Sequence, residues 1–126
     1  MTKPVDVTGA EHYRWGKESD GWHLLKRDDL SVILERVPPG ESEVRHYHKK
    51  SRQFFFLLEG EAVLEIDGQE FRLAAKQGIE VPPKKSHQFR NTSNRDVVFL
   101  VISSPKSHGD RVVTEGNSQI LTIKKV

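Results

Sequence analysis

The chain has 126 residues, no cysteine and a formal charge of +2, and 30% of its residues are charged, the two signs being interspersed. One domain of this length can bury a core without staples, and the absence of thiols excludes disulfides and thiolate metal ligands. The mixed charge lacks the basic stripe of a nucleic-acid binder, and no apolar run approaches the roughly 20 residues a membrane helix requires.

The first residues, MTKPVDVTGAEHYRW, have no apolar signal-peptide core, so the reading is a soluble, cytoplasmic protein without nucleic-acid or membrane partners. Residues 1–29, with Tyr13, Trp15 and Trp22, are expected as a lead-in that packs on a sheet. Strand signals then recur at short spacing, with turn residues between them. LSVILERV (30–37) is rich in β-branched residues and stops at Pro38-Pro39-Gly40. Residues 53–59 form an apolar run, QFFFLLE, and such a run reads as buried on both faces. In 61–66, Ala62, Leu64 and Ile66 share one face, and Asp67-Gly68 is the strongest short hairpin signal. Residues 70–73, 79–81, 86–91 and 96–103 complete the series, and 79–81 ends at Pro82-Pro83. Residues 105–126 begin with a polar, turn-rich stretch and end in QILTIKKV, a last strand or an arm that reaches a partner. No stretch shows a sustained helical period. Many short strands with tight turns predict an antiparallel sandwich or barrel over 30–104.

His46 and His48 stand two apart in a strand pattern, so both imidazoles point to one face, about 6.6 Å apart along the backbone. A single transition metal could sit between them, and Gln53 could return to the same point from the next strand. His87, which opens the strand 86–91, supplies the third imidazole. His12, His23 and His108 lack a ligand-spaced partner and are left out.

The frame around these residues is specific. Gly40, five residues, His46-Tyr47-His48, four residues, Gln53, six residues and Gly60 resembles the first motif of the cupin superfamily, with glutamine in place of the usual glutamate. VPPKKSHQFRN resembles the end of the second motif through Pro82, His87 and Asn91, although Lys84 stands where the family has glycine. The resemblance implies an all-β, antiparallel jelly-roll barrel with a metal held inside by His46, His48, Gln53 and His87. It also implies frequent homodimers. The family's activities span dioxygenases, isomerases, lyases and non-catalytic sugar binders, so fold alone does not give a reaction.

Glutamine makes every protein ligand neutral. A divalent ion would keep its full charge, act as a stronger Lewis acid and favour an anionic substrate. No ligand carboxylate would be available as a base. Imidazole-rich, open coordination suits Fe, Ni, Mn, Co, Cu or Zn. Alternation places Phe55 and Leu57 on the face of Gln53, and Phe89 and Asn91 on the face of His87, as candidate pocket walls. Lys49, Lys50, Arg52, Lys84 and Lys85 lie in the flanking loops, read as solvated charge that could also draw in an anion. The expected function is a small metalloenzyme of isomerase, lyase or dioxygenase type on an anionic or sugar-like substrate. The alternative is a binding protein for a sugar or sugar acid. The general acid or base is not identifiable, since Tyr47 points away from the site.

Overall fold

The computed structural model describes residues 2–114, and within these the regular structure is all strand. QILTIKKV lies outside the described residues. The strands are β1 (Glu11–Trp15), β2 (Ser19–Lys26), β3 (Ser31–Val37), β4 (His46–His48), β5 (Arg52–Glu59) and β6 (Glu61–Ile66). β7 (Gln69–Ala74), β8 (Gly78–Val81), β9 (His87–Arg90), β10 (Val97–Ser104) and β11 (Arg111–Val113) follow. They build two antiparallel sheets, ordered β1-β2-β3-β10-β5-β8 and β11-β4-β9-β6-β7. This is a jelly roll of two facing sheets, and hydrogen bonds do not close it into one continuous barrel.

The segment 1–29 does more than pack on the sheet. Its β1 and β2 pair with each other, and β2 pairs with β3, so they widen the first sheet by two strands. β11, from the segment 105–126, pairs with β4, where Arg111 faces His48.

The core lies between the sheets. Phe55, Leu57, Val97, Phe99 and Val101 come from one sheet, and Ala62, Leu64, Leu73 and Phe89 from the other. Phe89 and Phe99 stack at 4.0 Å across the gap, and Phe55 stacks on both at 6.0 and 6.1 Å. Alternation explains the selection, since inward residues of β5, β10 and β3 fall on one face of the pleat.

The apolar run in β5 is not buried on both faces of the chain. Phe54 and Leu58 are each 40% exposed, because among the described residues no layer covers the outer face of this sheet. Asp67 and Gly68, with φ of 49° and 89°, form the hairpin turn between β6 and β7. Two consecutive positive φ values match the right-handed strand twist, and glycine takes the second without a Cβ clash.

Candidate metal centre and its cavity

The three motif histidines meet. His46 and His87 are direct partners in the β4–β9 ladder, and His48 projects from the same face of β4. One ring nitrogen from each lies within 4.8 Å of the others, and all three residues are buried. They form a group able to hold a metal ion.

Their protonation is arranged for ligation. His46 Nδ1 contacts Val44 O at 2.7 Å, and His87 Nδ1 contacts Lys85 O at 3.0 Å. A carbonyl oxygen only accepts, so both Nδ1 atoms carry the proton and both Nε2 atoms carry the lone pair. Burial, then the neighbouring His87, pushes the His46 imidazole down to about 3, and the same two causes push His48 to about 4. Burial also lowers His87. The rings are neutral near pH 7, the state a metal requires.

Gln53, on β5, lines one cavity with His46 and His48. Its Nε2 donates to Ser103 Oγ at 3.0 Å, which orients the amide. Its Oε1 is buried with no hydrogen-bond partner, as is His87 Nε2. Buried polar atoms are rarely left unpaired, so orphaned lone-pair atoms beside converging histidines fit a cation. The donor set suits a divalent transition ion.

The loop between His48 and Gln53 is held by Asp110. Its carboxylate accepts from the backbone N–H of Lys49, Lys50 and Ser51 at 3.1, 2.9 and 2.8 Å. Burial raises the Asp110 carboxyl, but these bonds outweigh it and the net shift is downward. Ser51 Oγ donates to Pro105 O at 2.7 Å. The turn that spaces His48 from Gln53 is therefore clamped by the segment after β10.

The site opens into a cavity of about 290 Å³. His46, His48, Gln53 and Phe55 line it. The other three wall candidates do not. Leu57 and Phe89 are fully buried in the core, one or two pleats below the cavity. Asn91 instead ties a turn, donating from Nδ2 to Val37 O at 2.9 Å and Arg95 O at 2.8 Å. The flanking-loop cations also stay outside the lining. Arg52 pairs with Glu80, and Lys85 with Asp67 at 3.2 Å.

The cavity has a polar wall that the sequence did not reveal. Tyr13, Glu35, Glu43 and Arg111 line it, with Ser107 and His108 at its edge. These come from β1, β3, the stretch before β4, β11 and the turn before β11. The local sequence marks only Glu35, a charged residue between Ile33 and Val37 on the inward face of β3. Tyr13 Oη donates to Glu35 Oε2 at 2.9 Å. Burial pushes the Glu35 carboxyl up to about 7. Burial, then the Glu35 charge, pushes Glu43 up to about 8.

Residues 33–103 match the family described as Cupin domain. The chain belongs to the cupin family. This cupin is 36% identical over 72 residues to the polyketide synthase CurC of Streptomyces cyaneus, covering 57% of this chain and 47% of that protein. It therefore spans about half the length of that relative. It is 30% identical over 95 residues to the oxalate-binding protein of Thermotoga maritima, covering 71% of this chain and 78% of that one. The structure of the polyketide cyclase RemF from Streptomyces resistomycificus superposes with a TM-score of 0.76 at 20% identity, covering 98% and 94% of the two chains. At that identity the likeness is one of fold.

Proposed function

We propose that this cupin is a divalent-metal-dependent enzyme acting on a small, anionic or sugar-like oxygenated substrate, with isomerase, lyase and dioxygenase chemistry as the candidate classes. The carrying observation is the convergence of His46, His48 and His87, one ring nitrogen of each within 4.8 Å of the others, beside a cavity that His46 and His48 line. Gln53 is the fourth ligand in this reading, through Oε1. The bound ion would polarise a substrate oxygen as a Lewis acid. The chain's own groups do the rest. Arg111 attracts and orients an anion, Phe55 and Ile33 form an apolar side, and the cavity size restricts the substrate to a small molecule.

The test is elemental analysis of the native protein and of His48→Ala. Near-stoichiometric metal in the first and loss in the second is the expected result. Metal-free native protein that takes up none of Fe, Ni, Mn, Co, Cu or Zn would sink the reading.

A second reading is a binding protein without turnover. The likeness to an oxalate-binding protein favours it, together with the cationic Arg111 in the cavity. Calorimetry with oxalate and small sugar acids discriminates: tight binding that survives metal removal supports this second reading. A cytoplasmic location and a homodimer complete the proposal, the dimer having a candidate surface on the outer face of the first sheet.

A further inference from the structure

The polar wall opposite the histidines is organised around one row of cross-strand neighbours. Tyr13 pairs with Gly21, and Gly21 pairs with Glu35. A Cβ at Gly21 would meet Tyr13 Cζ at 2.2 Å, so the phenol ring lies across the glycine. Only that bare position lets the ring cross β2 and put its hydroxyl on Glu35. Glu43 is fixed separately. Its backbone N–H donates to Phe89 O at 3.0 Å, and Phe89 N–H donates to Glu43 Oε1 at 3.3 Å. Among the described residues Glu43 Oε2 has no hydrogen-bond partner, and the side chain lines the cavity.

We propose that Glu35 and Glu43 form a proton-transfer pair for a substrate with an enolisable carbonyl, Glu35 acting as base and Glu43 as acid, with Tyr13 as the positioning residue for Glu35. This rests on the metal-dependent reading above and narrows it to enolisation chemistry. The step balances within the chain. The substrate's α C–H bond breaks and its proton goes to the Glu35 carboxylate. The electron pair forms the C=C bond, the carbonyl π pair moves to oxygen, and that oxygen takes the Glu43 proton. Return of the proton to the other face of the same carbon gives epimerisation; where that carbon carries a hydroxyl, return to the former carbonyl carbon while the hydroxyl proton passes to Glu43 gives isomerisation, and either course restores both carboxyls. No oxidant or co-reactant is needed.

The charges around the pair suit the assignment. Tyr13 Oη donates to Glu35 from β1, and Arg111 on β11 acts on both carboxyls, lowering each. Glu35 in turn raises Glu43, so the two separate into a more acidic and a less acidic member near neutrality. Such separated pairs are how one site supplies acid and base together.

Two measurements test it. The first is ¹³C NMR of glutamate carboxyls in metal-free protein, which reads the pair without turnover. Two carboxyls titrating near neutrality are expected, one lost in Glu35→Gln and one in Glu43→Gln. Titration of both at the ordinary glutamate value would overturn the assignment. The second follows deuterium uptake at C3 of 2-oxobutanoate in D₂O by the metal-loaded protein. Each Gln variant should slow exchange by about 100-fold or more at unchanged metal content. Tyr13→Phe should shift the pH profile of exchange as well as slow it. Exchange no faster than with the free metal ion, or unaffected by the variants, refutes the pair. Failure of the metal-dependent reading looks different: no metal is bound, whatever the carboxyls do.

Discussion

Asp110 shows how a single side chain can set the spacing of His48 and Gln53 on two strands. Its carboxylate caps three successive N–H groups in the turn joining β4 to β5, so its loss leaves those donors to water and frees the turn. Hydrogen bonds to a charged group contribute roughly 1.5–3 kcal/mol each when well formed, discounted here by partial exposure. Asp110→Ala is expected to cost about 2 kcal/mol in urea denaturation and to weaken metal binding in a competitive-chelator titration. Unchanged metal affinity would mean that the turn holds its shape without the clamp. A second residue-scale expectation concerns pH. Glu35 and Glu43 have carboxyls raised from 4.5 to about 7 and about 8, so in the folded state they hold protons that the unfolded chain has released. Their contribution is complete below pH 4.5 and is lost as pH rises through those values, since stability falls wherever the native state binds more protons. Tyr13 and Arg111 act on Glu35, and Glu35, Arg111 and the Phe89 N–H act on Glu43. Glu43→Gln should therefore gain on the wild type between pH 5 and 8, by about 1–3 kcal/mol at the upper end. A constant difference across that range would show that Glu43 titrates normally.

At the scale of elements, the hairpins carry the registers that place the histidines. The β6–β7 turn needs a positive φ at Gly68, and nothing lies within 4 Å of the position its Cβ would take. Gly68→Ala should thus show backbone strain alone, about 1 kcal/mol by thermal or chemical unfolding. A loss several times larger would point to a clash that the fold does not contain. Gly21 behaves differently, because its Cβ would strike the Tyr13 ring rather than strain the chain. These turns and strands were legible from local signals: β3, β5, β6 and β10 fall within a residue of the spans expected from alternation and turn residues. β1, β2 and β11 were not legible, for a physical reason. EHYRW and RVV are short, largely exposed edge strands, whose partners supply the order that their own pattern lacks.

For the whole molecule, the outer face of the six-stranded sheet is the largest unexplained feature. Trp22, Leu34, Leu100 and Phe56 form one row across four strands, and Val32, Ile102 and Phe54 form the next. Contiguous apolar surface of this kind marks interaction sites. As part of the proposed homodimer, this face would meet its symmetric copy, as an isologous contact requires. Sedimentation of the wild type should give a dimer, and Phe54→Glu a folded monomer with the metal site intact. A wild-type monomer at micromolar concentration would remove the dimer from the proposal.

The sequence by itself determined the strand-rich fold, the antiparallel pairing and the identity of the three histidines. Each of these follows from spacing: period two on a strand, glycine at turns, and a motif frame whose intervals are fixed by strand length. Gln53 was likewise marked by its interval from His48. What only the tertiary structure decided was the cavity's other wall and the depth of each inward residue. Leu57 and Phe89 share a face with Gln53 and His87, yet alternation cannot say how far down the pleat the cavity ends. Tyr13, Glu35, Glu43 and Arg111 lie up to 98 positions apart in the chain and meet only because β1, β3 and β11 pair into the two facing sheets. Their shared chemistry comes from burial and from one another's charge, and neither exists until those strands are in register.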